Sequence, residues 1–387
     1  MRLVYITDFS ERFPYRLLRG IYQYAQETKQ HWTVCRMPSS LREQYSIEQF
    51  IAWCKEWKAD VVIGQFTPEI DLGIFRRNGI IVFAQDFITP FEGVPNITAD
   101  YKKTGELAAE RCVARGFREF AFFGNNGMCW SDARRDAFTQ YLEEAGFGDH
   151  LHIYSRQRIS NPWFYRQDLL RDWLLSLPKP IGVFCCDDNQ AVILAEACNA
   201  LGLRIPQEVA IVGVDNDEIL CNMSNPPITS IDVDIERGGY EAAAMAVQMM
   251  HDPGYEGQDI VLQPLGIVTR ESSNMITTKD GQVYKALTFI HSNLDHKINV
   301  ADVLEHVPMS RRLLEQRFLK ATGSTIYQYI STERIEFFAR QLLETDEPIG
   351  NLAARMDEPD LKTLSRLFKK LKGCTPAEYR RQNLRKL

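Results

Sequence analysis

The sequence predicts a two-lobed α/β domain built on parallel sheets, followed by an all-α domain with two helix-turn-helix units. Two observations predict this division. Short apolar segments alternate with helical patterns through roughly the first 270 residues, which is typical of βαβ units. A polar stretch bearing Ser, Thr and Gly then follows, and beyond it only helical patterns occur. The predicted domains are therefore 1–271 and 283–387, joined by a linker at 272–282.

Short apolar segments are the predicted strands of the first domain. They are Leu3–Thr7, Thr33–Cys35, Val61–Gly64, Ile80–Ala84, Phe120–Gly124, Gly182–Cys185 and Val209–Val214. The helices predicted around them are Pro14–Thr28, Ile47–Trp57, Tyr101–Arg115, Ser131–Ala145, Trp163–Leu177, Asn189–Leu201 and Ile235–Met250. This is more than one modest doubly wound sheet holds, so we expect two similar lobes, with the first chain crossing near Asn96–Asp100.

The second domain is predicted to be helical throughout. Its helices are Val283–Asn293, Val300–His306, Arg311–Thr322, Thr325–Glu344, Ile349–Met356, Asp360–Leu371 and Pro376–Arg385. In the helix Arg311–Thr322, Ser310 is expected to be the N-cap and Gly323 the C-cap. Leu314 and Phe318 are four residues apart, so they are expected to share the buried face of this helix.

The helix-turn-helix pattern occurs twice in the second domain. The second helices of the two units are Arg311–Thr322 and Asp360–Leu371, and the long helix Thr325–Glu344 lies between the units. Two units joined by a rigid helix can insert two recognition helices into successive major-groove segments, about 34 Å apart. For either unit alone, an amphipathic helix with a solvated charged face is the plainer alternative.

Charge is divided unevenly between the two predicted domains. The chain has 45 Lys and Arg against 51 Asp and Glu, a formal net charge of −6. From residue 280 onward there are 18 basic and 14 acidic residues, a net +4, which leaves −10 for the rest. A basic domain suits a polyanion such as DNA, and an acidic domain suits a different partner. A solvated basic terminal helix is the alternative.

Three motifs mark residues 298–381. They are Ser310-x3-Leu314-x3-Phe318-x4-Gly323, then Arg334 with Ala339 and Leu342-Leu343, then Phe368-Lys369-Lys370-x2-Gly373-x-Thr375-Pro376-x2-Tyr379-Arg380. These motifs resemble the DNA-binding domain of the AraC/XylS family. The second unit departs from the family pattern, because the usual Gly-Phe of its turn reads Asp357-Glu358 and a usual aromatic residue is Leu364.

The resemblance implies double-stranded DNA as a partner and gives the contact positions. The residues expected to contact DNA are Arg311, Arg312, Glu315, Gln316, Lys362, Thr363, Arg366 and Lys369, with Leu361 at a further matched position. Arg312 and Gln316 are expected to read bases. Lys362, Arg366 and Lys369 are expected to contact bases or phosphates.

Polar and aromatic side chains follow several predicted strands of the first domain. They are Asp8, Ser10, Phe13, Asp86, Trp130, Arg134, Asp187 and Asp215. Ligands of such folds bind beyond the carboxyl ends of strands, so we expect these residues to meet in a cleft. Carboxylates bond adjacent hydroxyls and aromatic faces cover C–H surfaces, which suits a polyhydroxylated ligand. Each Asp also fits the plainer role of a helix N-cap.

Three further motifs belong to this domain: Val212-Gly213-Val214-Asp215-Asn216, Cys186-Asp187-Asp188-Asn189-Gln190-Ala191 and Arg134-x3-Phe138. With them, residues 2–270 resemble the LacI-type periplasmic-binding-protein fold. The resemblance implies that Asp215, Asp187 and Arg134 contact sugar hydroxyls. A sensor of this type in front of an AraC-type domain resembles the xylose-operon type of regulator. The implied function is a sugar-responsive transcription factor, an activator of pentose utilisation that works as a homodimer with DNA and RNA polymerase.

No catalytic constellation is found in the sequence. There is no GxGxxG after the first strand and no GxxxxGK(S/T), GxSxG or HExxH motif, so no enzyme activity and no cofactor are expected. His150 and His152 lie two apart in a further predicted strand, and without a third ligand nearby we expect surface histidines rather than a metal site. A regulator of another metabolite, a cleft enzyme with a helical interaction module and a solute receptor are the alternatives.

Cysteine content and hydropathy predict the compartment. The nine cysteines form no CxxC pair, which fits a reducing environment. No apolar stretch approaches the length of a membrane span, and the first residues turn polar too quickly for a signal peptide. We therefore expect a cytoplasmic protein with no membrane partner.

Overall fold

The computed structural model describes residues 1–157, 167–252, 254–275, 280–345, 347–358 and 360–384. By its internal contacts the chain divides into two compact units, Met1–Asn274 and Met275–Leu387. The first unit is α/β and the second is all-α, as the sequence predicts. Within the described ranges, no helix combines the length and the apolar character needed to cross a bilayer.

Within the described residues, the N-terminal unit contains the strands β1 to β12 and the α-helices α1 to α10. The strands are β1 (Arg2–Thr7), β2 (Thr33–Pro38), β3 (Val61–Gly64), β4 (Ile81–Gln85), β5 (Asn96–Ala99), β6 (Glu119–Asn126), β7 (Leu151–Gln157), β8 (Ile181–Cys185), β9 (Val209–Val214), β10 (Thr229–Val233), β11 (Ile260–Leu262) and β12 (Pro264–Val268). The helices are α1 (Phe13–Glu27), α2 (Ser39–Arg42), α3 (Ile47–Trp57), α4 (Gly73–Arg77), α5 (Tyr101–Ala114), α6 (Cys129–Glu144), α7 (Gln167–Ser176), α8 (Asp188–Ala200), α9 (Glu218–Met223) and α10 (Ile235–His251).

These strands form two six-stranded sheets, one in each lobe. The first has the order β11-β5-β4-β3-β1-β2 and is parallel throughout, and the second has the order β12-β10-β9-β8-β6-β7, with β12 antiparallel to β10. The prediction of two lobes with parallel sheets is confirmed. Strands β10, β11 and β12 are additions to the predicted set, and β5 is a strand where only a chain crossing was expected. Residues 163–166 of one predicted helix lie outside the described residues.

Three chain segments cross between the lobes. Asp100 leads from β5 to α5, Asp234 from β10 to α10, and Gln263 from β11 to β12. The Asp100 N–H donates to the Leu262 carbonyl at 2.9 Å, and the Asp234 N–H donates to the Gln263 carbonyl at 3.0 Å. The three crossings therefore run side by side as a hydrogen-bonded hinge.

Helix α10 returns from this hinge and packs against α1 in the first lobe. Two glycines make the crossing possible. A Cβ atom built on Gly20 would lie 1.7 Å from the carbonyl oxygen of Glu236, and one built on Gly239 would lie 1.9 Å from that of Leu17. Since backbone atoms cannot move aside as a side chain can, only glycine permits this approach.

The C-terminal unit consists of helices. They are α11 (Gly281–His291), α12 (Val300–His306), α13 (Arg311–Thr322), α14 (Ile326–Glu344), α15 (Ile349–Arg355), α16 (Leu361–Lys372) and α17 (Pro376–Leu384). One apolar cluster unites α11 to α14, and another unites α14 to α17. Predicted linker residues 276–279, Pro359 of the second turn and Arg385 at the end of the last predicted helix lie outside the described residues.

Helix α13 has the buried face that the sequence predicts. Leu314 and Phe318 are fully buried. Gly323 ends the helix with a φ of 72°, and its N–H donates to the Leu319 carbonyl at 2.9 Å, which confirms the C-cap. Ser310 is the N-cap residue, as predicted, and its carbonyl accepts the first helical hydrogen bond. Its hydroxyl, however, accepts no hydrogen bond from the backbone of the first turn.

We expect Gly20→Ala and Gly239→Ala each to lower the free energy of unfolding by about 1–3 kcal/mol, because the added methyl group overpacks the α1–α10 crossing. Urea denaturation of the full chain measures this loss. Gly148→Ala is the matched control, since its Cβ would meet nothing closer than Glu143 Cγ at 3.4 Å. Equal denaturation midpoints for all three variants would contradict the packing argument.

Candidate ligand cleft and nucleic-acid interface

A cavity of about 850 Å³ lies in the N-terminal unit, lined by residues from the carboxyl ends of strands in both sheets. The predicted residues that line it are Asp8, Phe13, Asp86, Trp130, Arg134, Asp187 and Asp215. Ser10 is not among its lining residues. It is exposed in the turn before α1, where its N–H donates to Asp8 Oδ1 at 2.9 Å. Ser10 therefore shapes the Asp8 turn instead of facing the cleft.

Arg134 of α6 is the buried cation of the cleft. Its Nη1 donates to the Cys186 carbonyl, and its Nη2 donates to Asp215 Oδ1 at 3.3 Å. The guanidinium carbon lies 5.4 Å from the centre of the Tyr101 ring and 5.5 Å from that of Trp130. Its Nε–H finds no acceptor among the described residues. Arg134 thus orients one carboxylate and keeps a donor unused in the cleft wall.

Asp86 approaches the cavity from the first lobe. Its Oδ2 accepts a hydrogen bond from the Tyr101 hydroxyl at 2.5 Å. Its Oδ1 is buried and has no hydrogen-bond partner in the described part of the chain. Burial raises the pKa of the Asp86 carboxyl. A buried acceptor without a partner is costly, so Oδ1 is well placed to accept from a hydroxyl group.

Asp187 combines two roles at the start of α8. Its Oδ1 accepts from the Gln190 N–H at 2.7 Å, which is the N-cap bond that the plainer interpretation expects. It also lines the cavity. Burial, with a smaller contribution from the nearby carboxylate of Asp215, raises the pKa of Asp187 to about 6. Its protonation state therefore changes close to neutral pH.

Asp215 stands on an unusual turn after β9. Its φ is 92° and that of Asn216 is 49°, the left-handed region that disfavours residues with side chains. The Asp215 N–H donates to the Ile231 carbonyl at 2.9 Å, and the Asn216 N–H donates to Ser230 Oγ at 3.0 Å. Asp215 is not the N-cap of α9, a role taken by Asp217, so capping does not account for it.

Several cavity residues were not predicted from the sequence. They are Glu11, Arg12, Arg16, Gln85, Tyr101, Asn125 and Gln190. The Oε1 atom of Gln190 is buried without a partner among the described residues. Gln190 follows Asp187 by three residues, and Glu11 follows Asp8 by three. A search of the five residues that follow each strand, rather than the strand ends alone, finds both.

Glu11 is crowded by like charges. Desolvation by the surrounding protein, together with the carboxylates of Asp187, Asp215 and Asp8, raises the pKa of Glu11 to about 8. Glu11 lines the cavity and is exposed to solvent there. A protonated carboxyl group can donate a hydrogen bond as well as accept one, which widens the choice of hydroxyl partners.

Asp188 serves the framework of the cleft. Its Oδ1 accepts from the Ser230 hydroxyl at 2.6 Å, and its Oδ2 accepts from the Asp217 N–H at 2.7 Å. Burial raises the pKa of this carboxyl to about 8. Because both oxygens are occupied, Asp188 is a poor partner for Asp187 in acid–base chemistry.

The histidines considered as a metal pair both contact one carboxylate. His150 Nδ1 lies 2.9 Å from Glu119 Oε1, and His152 Nε2 lies 3.3 Å from Glu119 Oε2. In the part of the chain that the structure describes, no group of three His, Cys, Asp or Glu could hold a metal ion.

The outer faces of α13 and α16 present the residues expected to contact DNA. Arg312 and Gln316 are exposed on α13, while Arg311 Nε lies 3.0 Å from Glu315 Oε1 in an ion pair one turn apart. On α16 the exposed residues are Lys362, Thr363, Arg366 and Lys369. The Thr363 hydroxyl donates to the helix cap Asp360 at 2.6 Å.

The turn of the second helix-turn-helix unit adopts the left-handed backbone conformation that favours glycine, although the residue there is Asp357. Asp357 has a φ of 53°. Glu358 lies 3.3 Å from both Arg334 Nη1 and Lys297 Nζ. Arg334 also donates to the Met356 carbonyl at 2.7 Å. An ionic cluster centred on Glu358 therefore holds this turn where the family usually has an aromatic residue.

Comparisons with known proteins match both units. A periplasmic binding protein-like domain matches residues 109–273, and a helix-turn-helix domain matches residues 303–382. The multiple antibiotic resistance protein MarA of Escherichia coli is 31% identical over 117 residues, which are 30% of this chain and 88% of MarA. The chain belongs to the AraC-type helix-turn-helix regulators.

Similarity to other regulators covers nearly the whole chain. A xylose operon regulatory protein of Haemophilus influenzae is 26% identical over 389 residues, which are 98% of each chain. A solved structure of the xylose-binding transcription activator xylR covers 98% of this chain and 97% of its own, with 24% identity and a TM-score of 0.66, and so shows the same fold. The chain is therefore a DNA-binding transcriptional regulator.

We expect Glu358→Ala to lower the free energy of unfolding by about 1–3 kcal/mol, because it leaves the largely buried Arg334 without its carboxylate partner. Urea denaturation of the full chain measures the loss. Glu347→Ala is the control, since its pair with Arg355 is more exposed and worth under about 1 kcal/mol. The ionic-cluster interpretation fails if the two variants are equally stable.

Proposed function

We propose that the cleft binds an unphosphorylated pentose, with xylose as the first candidate, and that binding lets the regulator activate genes for its use. The observation that carries this proposal is the convergence of Asp86, Arg134, Asp187 and Asp215 on one cavity. The name and fold of the similar xylose regulators support the choice of sugar. A regulator of another sugar or metabolite is the second candidate, because the size of the cavity does not select a pentose.

The polar groups of the cleft suit a ring of hydroxyls. Asp86 Oδ1, Asp187 and Asp215 offer acceptors, and the unused Nε–H of Arg134 offers a donor. Trp130 and Phe13 contribute aromatic surface for the C–H side of the ring. Carboxylates outnumber cations among the lining residues, which disfavours a phosphorylated sugar by charge repulsion.

The two lobes hold different parts of this site. Asp86 and Phe13 belong to the first lobe, whereas Arg134, Asp187 and Asp215 belong to the second. A sugar that contacts both sets has a higher affinity for the lobe arrangement that brings them together, so it shifts the population toward that arrangement. We propose that a homodimer converts this shift into the spacing of its DNA-binding units.

The DNA-binding role is assigned to the outer faces of α13 and α16. We propose that Arg312 and Gln316 read bases, and that Lys362, Arg366 and Lys369 contact bases or phosphates. RNA polymerase is the further partner that an activator needs. We propose regulation in the cytoplasm rather than catalysis, with no cofactor or metal, because the relatives are transcription regulators.

Sugar binding should depend on Asp86 and Asp215. We expect Asp86→Asn and Asp215→Asn to weaken xylose binding about 10- to 100-fold, since a hydrogen bond to a charged group is worth about 1.5–3 kcal/mol. Calorimetry on the full chain with xylose, arabinose, ribose and glucose measures the affinities. Asp172→Asn, at an exposed site on α7, is the control. The pentose assignment fails if the folded protein binds none of these sugars or prefers glucose.

Sugar affinity should also fall in acid. The pKa of Asp187 is raised to about 6, and a sugar that bonds its carboxylate favours the charged form. The affinity is therefore full above this pKa and should fall about tenfold from pH 7 to pH 5 as the carboxylate is protonated. Calorimetry across this range measures the change, and Asp187→Asn should flatten it. An affinity that rises in acid would contradict this role for Asp187.

Variants of the two recognition helices should separate base reading from phosphate contact. Arg312→Ala should cost about 1–3 kcal/mol of binding and relax preference at one base pair. Lys369→Ala should weaken all sequences alike and reduce the salt slope by about one unit. Fluorescence anisotropy with operator and scrambled duplexes measures both effects, with Lys102→Ala in the N-terminal unit as the control. The interface is misassigned if Arg312→Ala and Arg366→Ala leave affinity and preference unchanged.

A further inference from the structure

Arg16 of α1 uses every N–H group of its guanidinium. Nε and Nη2 donate to the two carboxylate oxygens of Glu236 at 2.8 and 2.7 Å. Nη1 donates to Asp232 Oδ1 at 3.0 Å and to the Asp215 carbonyl at 2.8 Å, and Nη2 donates also to the Val233 carbonyl at 3.1 Å. The side chain is 12% exposed. A guanidinium bound on all sides has a single available orientation.

The partners of Arg16 lie on both sides of the hinge. Arg16 and Glu236 belong to the α1–α10 pair of the first lobe, and Glu236 follows the crossing residue Asp234 by two positions. Asp232 and Val233 end β10 of the second lobe, and Asp215 follows β9 of that lobe. Arg16 therefore reaches from the first lobe across the crossing to the second.

The bond to Asp215 is made to the backbone of a strained turn. Asp215 and Asn216 are two successive residues in the left-handed region, with φ values of 92° and 49°. Such strain persists only where the surroundings hold it. On the second lobe's side, Arg270 Nη2 donates to Asn216 Oδ1 at 2.8 Å, and on the first lobe's side Arg16 holds the Asp215 carbonyl. The Asp215 side chain stays directed to Arg134 and the cavity.

We propose that Arg16 is a positioning residue that couples occupation of the cleft to the arrangement of the lobes. It does so by holding the backbone of the strained Asp215–Asn216 turn from the opposite lobe. This inference rests on the proposed function, in which the sugar bonds Asp215. When the sugar bonds the Asp215 carboxylate, the turn and Arg16 connect that contact with α1 and the hinge. An ion pair that only stabilised the first lobe would require the Arg16 contact with Glu236 but not the contacts with the second lobe.

The test measures coupling and not stability alone. For the full chain, DNA affinity is measured by anisotropy with and without saturating xylose, and the ratio of the two affinities is the coupling factor. By linkage the same factor relates xylose affinities with and without DNA. We expect Arg16→Gln to bring the coupling factor to within about twofold of one. The DNA affinity measured without xylose should change by a smaller ratio than the coupling factor does. Arg16→Lys should restore part of the coupling factor, because lysine keeps the positive charge but lacks the planar set of N–H donors of the guanidinium.

Arg237→Gln is the matched control, since Arg237 neighbours Glu236 on α10 but forms an exposed pair with Glu241. It should keep the wild-type coupling factor. If Arg16→Gln does not fold, Asn216→Gly tests the same turn, because glycine relieves the positive φ and should likewise reduce the factor. A folded Arg16 variant with the wild-type coupling factor overturns the inference alone. A wild-type protein that binds no sugar overturns the proposed effector, and the inference with it.

Discussion

Two backbone hydrogen bonds, from Asp100 to Leu262 and from Asp234 to Gln263, hold the three crossing segments side by side, and the cleft depends on them. Because both sheets turn the carboxyl ends of their strands toward this hinge, residues as distant in sequence as Asp8 and Asp215 line one cavity. Each lobe contributes one buried polar atom that lacks a hydrogen-bond partner. Asp86 Oδ1 in the first lobe and Arg134 Nε in the second find no partner among the described residues. A ligand that satisfies both must contact both lobes.

Much of the fold could be predicted from local patterns. The bounds of β3, β9, α3, α12 and α13 are the predicted ones. The strands are continuous apolar runs, and α3 and α12 begin at a capping box. Strand β10 was missed because Thr229, Ser230 and Asp232 make it look like a loop. Its buried hydroxyls are satisfied by distant partners, such as Asp188 for Ser230, and partners so far apart in sequence leave no local signal.

The site was predicted less completely than the fold. Strand ends gave seven cavity residues, but Ser10 follows Asp8 in a turn that points it to solvent. Arg16 lies inside a helix, where an arginine is ordinarily a surface residue, and its role depends on segments more than 190 positions away. In the second helix-turn-helix unit, by contrast, a departure in sequence did not change the structure of the turn. Asp357-Glu358 departs from the family pattern, yet Asp357 adopts the left-handed conformation and Glu358 joins Arg334.

The glycine contact between α1 and α10 has a mechanical consequence. With Gly20 and Gly239 against opposing backbone, the helices cannot slide past one another without a clash. Helix α10 therefore travels with the first lobe as one rigid body, although its N-terminus adjoins the second. Any rotation between the lobes is then concentrated in the few bonds around Asp100, Asp234 and Gln263. Because the hinge is short, a displacement of about one ångström at the cleft floor produces a larger displacement at the far edges of the lobes.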